Sequence, residues 1–312
     1  MSYFGAPILP AASVSLSVLL QTGDATADQF LDHFIQIEQT AIISDYGAAN
    51  RVVAADLLRT LSQEIPAAVC YLSHDVDVEE ARELLSASIA HFDLAIVALR
   101  DGNENLGIIG AERLPQVVRE INELIHVWEP IHDAAISVLN EPRDLDAAML
   151  VYASADPMLD ATYHLLVEIE AEYSNPVELL QSDMLNLEVS GRMAMFTQRI
   201  AYESCRTWAG EGNEEMVADL HKTIGHFEAS MEGLTNGLPE LGLRPAPTPE
   251  IAASLDEIAQ DWSDIRRILD AVSAGETTSI EDRTALYHLL AVKLHKIEEL
   301  EELYQDYSKR VY

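Results

Sequence analysis

Apolar residues recur along almost the whole chain at three- and four-residue spacing, and the strict alternation that marks β-strands is almost absent. Over 26–73 the positions Phe30, Phe34, Ile37, Ile42, Val52, Leu57, Leu61 and Ile65 follow helical spacing, and Gly47 and Pro66 are the points where such a helix can bend. Asp77 is placed as the N-cap of a second helix, with Glu79 and Glu80 in its first turn and Gly102 at its end. A third helix over 114–139 begins just before Pro115 and stops before Pro142. The fourth runs to Tyr173 and is interrupted by Pro157, which either kinks it or opens a new segment.

The pattern then begins again. Asn175 and Pro176 fit the N-cap and first helical position of a helix that runs to about Ala209, followed by helices over 213–236, 248–274 and 279–310. Gln63 matches Gln198, Cys70 matches Cys205, and His91-Phe92 matches His226-Phe227, all at an offset of 135. One deletion later the offset is 134, pairing Trp128 with Trp262 and Tyr173-Ser174 with Tyr307-Ser308. Matches at constant offset do not arise from composition, so the chain is two copies of one unit. The expected fold is all-α: two up-down-up-down four-helix bundles in tandem, with an N-terminal extension at 1–25, copy one at 26–174 and copy two at 175–312; the alternative is one continuous eight-helix array. Segment 237–247 is too rich in Pro and Gly for a helix, and its counterpart 102–112 reads as a polar, flexible loop.

Charge narrows the partners. With 53 acidic against 19 basic residues the formal net charge is −34, a surface that repels nucleic acid and anionic membranes. No run of 18 apolar residues is present, and the apolar stretch 8–20 lacks the preceding Lys or Arg of a secretory signal. The expectation is a cytoplasmic protein without membrane insertion. The two cysteines lie at matching positions in apolar helical stretches and read as small core residues rather than a disulfide.

In so acidic a chain, cations on one helix face stand out. Arg192, Arg199 and Arg206 are spaced by seven and line one stripe of the first helix of copy two. Guanidinium groups hold planar oxyanions through paired hydrogen bonds, and Gln198, Gln63, Ser62 and Thr197 offer neutral donors beside them. Gly191 lets another helix approach closely. The stripe can equally pair with carboxylates of neighbouring helices. On that reading Glu64 and Arg199, which are equivalent positions of opposite charge, form a salt bridge across a pseudo-twofold axis between the two first helices, and Gln63 and Gln198 fix register as buried polar residues.

The segment Gly191-Arg192-Met193-Ala194-Met195-Phe196-Thr197-Gln198-Arg199-Ile200 resembles the Gly-Arg-Gln-Arg-Met-Leu-Ser-Gln-Arg-Ile signature of PilJ-type sensory domains. Copy one carries a degenerate version, Arg59-Thr60-Leu61-Ser62-Gln63-Glu64-Ile65. The resemblance implies a helical sensory module of the kind found in the extracytoplasmic parts of type IV pilus chemoreceptors and, in related form, in nitrate and nitrite sensor kinases. It also implies that the second signature arginine holds a small anion where two first helices meet. That position is Arg59 in copy one and Ala194 in copy two, whereas the first signature arginine is Arg192 in copy two and Leu57 in copy one.

Other constellations carry less. Glu123 and His126 have the Glu-x-x-His spacing of di-iron bundles, but the repeat supplies Gln260 opposite His126. His91 and His226 read as helix-face residues with a satisfied hydrogen bond, and His288 and His295 as a solvated or core edge. Trp128 and Trp262 are expected to fill cores and donate the indole hydrogen to a carbonyl. The acidic runs 168–172 and 298–302 read as solvated faces or as docking sites for a basic partner. No nucleophile elbow, phosphate loop, nucleotide fingerprint or zinc spacing is present. The expectation is a non-enzymatic sensory protein with no cofactor and no metal. It binds a nitrate- or nitrite-like anion or small carboxylate through Arg192, Arg59, Arg199, Gln198, Gln63, Thr197 and Ser62, and relays it to a partner signalling protein. The alternative is a helical adaptor or scaffold that binds partner proteins without a small ligand.

Overall fold

The computed structural model describes residues 27–173, 181–211 and 213–310, and from Ala48 onward the chain forms one compact unit. The N-terminal extension, the side chains of Phe30, Phe34, Ile37 and Ile42, the 174–175 boundary and the Asn175-Pro176 cap lie outside the described residues or side chains. The fold is all-α. Copy one contains α1 (Ala27–Ser73), α2 (Val78–Asp101), α3 (Pro115–Asn140), α4 (Leu145–Ala153) and α5 (Ala155–Tyr173). Copy two contains α6 (Gln181–Arg206), α7 (Glu214–Asn236), α8 (Pro249–Gln260), α9 (Trp262–Ser273) and α10 (Ile280–Arg310).

The fourth helix of copy one breaks at Ser154, so Pro157 falls in the first turn of α5, where its missing N–H costs nothing. Asp77 occupies the N-cap position of α2 but makes no capping bond; its backbone is left-handed (φ 43°) and its carboxylate faces His288 of copy two at 2.8 Å. The α2–α3 connection corrects the expectation of a flexible loop. A 3-10 turn at Glu104–Leu106 is closed by an antiparallel bridge between Asn103 and Ile108, and Ile108 is fully buried. Copy two builds the same device, with a 3-10 turn at Pro239–Leu241 and a bridge between Leu238 and Leu243. Each begins at a glycine with positive φ, Gly102 at 85° and Gly237 at 78°, a conformation in which a Cβ would also strike the returning backbone.

The cores repeat as well. Trp128 lies 4.3 Å from Phe92, ring centre to ring centre, and Trp262 lies 4.2 Å from Phe227. Each indole N–H donates to a side-chain carboxylate of the preceding long helix, where the expectation was a carbonyl: Trp128 to Asp93 at 2.7 Å, Trp262 to Glu228 at 2.8 Å. Asp93 and Glu228 are themselves 135 apart, so the aromatic pair and its acceptor form one inherited unit.

Candidate functional site

The two first helices, α1 and α6, lie side by side. Arg59 meets Glu188, Gly191 faces Asp56 and Arg59, Glu64 meets Gln198, and Cys70 meets Cys205. Both series ascend together, so the helices run parallel and nearly in register, with equivalent positions meeting across a pseudo-twofold axis. Asp56, Gln63 and Cys70 on α1, and Gly191, Gln198 and Cys205 on α6, are seven apart, the spacing that keeps one stripe against a parallel partner.

At one end of this seam the cysteines are joined in a disulfide, with Cα atoms 6.2 Å apart, contrary to the expectation of two separate core thiols. Both residues are fully buried, as that expectation required. A residue meets its own counterpart only if it sits on the pseudo-twofold axis, and helical spacing within one copy does not say which stripe does so.

In the middle of the seam Glu64 is buried without a cation. Its carboxylate accepts from Ser88 at 2.6 Å and from the Gln198 amide at 3.0 Å. Burial pushes its pKa up to about 7, against the Ser88 bond, which lowers it, and with a small further rise from Glu298. The Glu64–Arg199 pair expected across the axis therefore does not form. Arg199 turns outward to Asp156 at 2.9 Å and Glu203 at 2.8 Å, because its Cβ vector leaves the seam one position after Gln198.

At the other end an arginine is buried on the seam. Arg59 is 2% exposed, with Nη2 against Asp56 and Nη1 3.1 Å from Glu188. Glu188 also accepts from Arg192 Nε at 2.6 Å, so one carboxylate lies between the first signature arginine of copy two and the second of copy one. Gly191 makes room for this: a Cβ there would come within 2.4 Å of Asp56 and 2.7 Å of Arg59. Burial opposes the Arg59 charge, but Asp56 and Glu188 outweigh it and raise its pKa. Burial also raises Asp56, takes Glu170 of α5 to about 7, helped by Glu188, and lifts Glu301 of α10 well above the usual range, helped by Asp56. Glu170 and Glu301 belong to the two acidic runs read as solvated faces; one member of each turns toward Arg59.

The seven candidate residues are thus only partly gathered. Arg59 and Arg192 converge on Glu188. Gln198 is committed to Glu64, and Gln63 donates to the carbonyl of Ala155 at 3.1 Å. The Ser62 and Thr197 hydroxyls bond to carbonyls of their own helices, those of Arg59 and Met193. Arg199 lies apart, on a cleft of about 170 Å³ lined also by Tyr152, Tyr202 and Arg206. There the Arg206 guanidinium lies 5.0 Å from the Tyr152 ring centre and 5.6 Å from that of Tyr202. Asp56 and Glu188 were missed, although their positions three and four residues before Arg59 and Arg192 are the spacing of intrahelical ion pairs. Glu123, His126 and His91 are exposed, and His226, also exposed, stacks its ring on Phe196 with centres 5.6 Å apart. Among the described residues no helix is long and apolar enough to cross a membrane.

Comparison with known proteins bears on the second copy. The PilJ family model, described as the type IV pili methyl-accepting chemotaxis transducer N-terminal domain, matches residues 179–286. Over 87 residues the chain is 32% identical to the methyl-accepting chemotaxis protein McpN of Pseudomonas aeruginosa. That match covers 28% of this chain and 16% of the relative.

Proposed function

With a PilJ-type sensory domain at residues 179–286 as the premise, and a sensory, signal-transducing role with it, we propose that the whole chain is a pseudo-dimeric sensor. In this reading both copies are PilJ-like, and the parallel seam between their first helices takes the place of a contact between two separate chains. The stimulus is a small planar oxyanion, nitrate- or nitrite-like or a small carboxylate, and the response passes to a partner protein as a change in helix packing.

The observation that carries this is the Glu188 carboxylate between Arg59 and Arg192. A carboxylate is itself a planar oxyanion, and its bonds to both guanidinium groups support a site where the same pair would hold a free one. Binding then means displacement. The tethered carboxylate competes at high effective concentration, and nearby Asp56, Glu170 and Glu301 disfavour further negative charge. Both effects keep affinity low, and the repulsion weakens as Asp56, Glu170 and Glu301 take up protons.

Titration calorimetry and thermal shift with nitrate, nitrite and acetate, against chloride at constant ionic strength, test the proposal on the wild type and on Glu188→Gln. The substitution removes the competing charge while keeping the side-chain shape, so tighter binding of at least one oxyanion is expected. Adding Arg192→Ala to Glu188→Gln should remove the gain. No anion-specific heat or stabilisation in either the wild type or Glu188→Gln overturns the reading.

A further inference from the structure

The disulfided end of the seam has a third member that anion sensing does not use. His74 lies one turn beyond Cys70 on the same face of α1, with Nδ1 3.8 Å from Cys70 Sγ and 3.0 Å from the Cys70 carbonyl. Cys70 Sγ, Cys205 Sγ and His74 Nδ1 all fall within 4.8 Å of one another, and no fourth His, Cys or carboxylate atom joins them among the described residues. The sulfurs are fully buried, whereas His74 is half-buried and gives the group an edge toward solvent.

From this geometry we propose that Cys70, His74 and Cys205, once the disulfide is reduced, form a three-coordinate site for a soft metal ion of the Cu(I) class, shared between the two copies. Two thiolates and an imidazole are donors that suit such an ion, the soft thiolates favour it, and three protein ligands complete trigonal coordination without a water. The distances agree. With bonds of about 2.3 Å to sulfur and about 2.05 Å to nitrogen, trigonal coordination separates a sulfur from a nitrogen ligand by about 3.8 Å. The sulfurs must part to about 4 Å on the same bond length, which side-chain rotation supplies when the Cα atoms are 6.2 Å apart.

The redox step balances with a dithiol as reductant. The disulfide takes up two electrons and two protons, the dithiol becomes a disulfide, and the two new thiols release their protons as the thiolates bind the ion. His74 must present Nδ1 as a bare acceptor, giving up any bond it donates to the Cys70 carbonyl and carrying its proton on Nε2. Disulfide and metal are then alternative staples across one seam, and each holds α1 against α6.

The test is an anaerobic titration of the phosphine-reduced 312-residue chain with Cu(I) in competition with a chromophoric Cu(I) chelator, alongside thermal melts. Reduced wild type, with two free thiols counted, is expected to take up one Cu(I) per chain and to melt higher with the ion than without it. The oxidised protein should take up none. His74→Gln should keep the helicity and melting temperature of the oxidised form, yet weaken Cu(I) binding by at least the roughly tenfold that losing even an outer-shell partner costs. Cys205→Ser should abolish stoichiometric uptake. If reduction unfolds the chain, Cu(I) should restore its helical signal. Reduced wild type that takes up no Cu(I), gains no stability from it, or binds it no better than His74→Gln overturns the proposal.

Discussion

Glu64 is a buried acid whose partners are both neutral, so its ionisation is a direct charge against the fold. Its pKa rises from an ordinary 4.5 to about 7 because burial outweighs the Ser88 hydrogen bond. A group that binds its proton more tightly when folded stabilises the fold while protonated. The contribution is complete below pH 4.5 and is lost as pH rises through about 7. At about 1.4 kcal/mol per unit the loss amounts to about 3 kcal/mol, a large part of a typical domain's stability. Glu64→Gln keeps the shape and one acceptor for Ser88 or Gln198, but never ionises. Urea unfolding of wild type and variant, followed by helical circular dichroism between pH 4.5 and 8, isolates the effect, because shifts of the other carboxylates cancel in the difference. The stability of Glu64→Gln relative to wild type should climb by about 3 kcal/mol across that range. A difference that stays flat within about 1 kcal/mol would refute the claim that this carboxylate is desolvated at the seam.

Other perturbations probe the rest of the seam and the cores. Gly191→Ala places a Cβ against Asp56 and the buried Arg59 and should cost about 1–3 kcal/mol in chemical denaturation, whereas Gly225→Ala, in open space, should not. Cys205→Ser removes a cross-link spanning 135 residues, for which chain entropy predicts a loss of up to about 5 kcal/mol, read as a fall in melting temperature matched by reduction of the wild type. Trp128→Phe and Trp262→Phe keep the aromatic stack and lose the bond to Asp93 or Glu228, so each should cost about 1 kcal/mol, and by similar amounts in the two copies.

Much of this architecture was legible residue by residue. Helical spacing, proline at first turns and glycine at helix ends located most of the elements, since these signals act within a few residues. They failed where a contact distant in sequence decided the outcome. Ile108 reads as part of a polar loop until α2 and α3 close over it, and Asp77 reads as a cap until His288 arrives from α10. At the candidate site the arginines were visible because cations are rare in this chain. Their carboxylate partners were not, because acidic residues are everywhere and only packing selects Asp56, Glu188, Glu170 and Glu301 from the rest.

The helical period and the repeat by themselves pointed to an all-α chain with matching positions in two halves, among them a core tryptophan and a first helix that carries the signature in one half and a degenerate form of it in the other. Periodicity fixes what one helix buries, but not which helix covers it. Only the tertiary structure set α1 parallel to α6 in register, and that choice places equivalent residues face to face. It joined Cys70 to Cys205, put Glu64 against Gln198 instead of Arg199, and gave Arg59 a carboxylate from the other copy. The physical reason is that a stripe seven residues apart can face its own core or its twin, and the free energy that decides between them belongs to the pair.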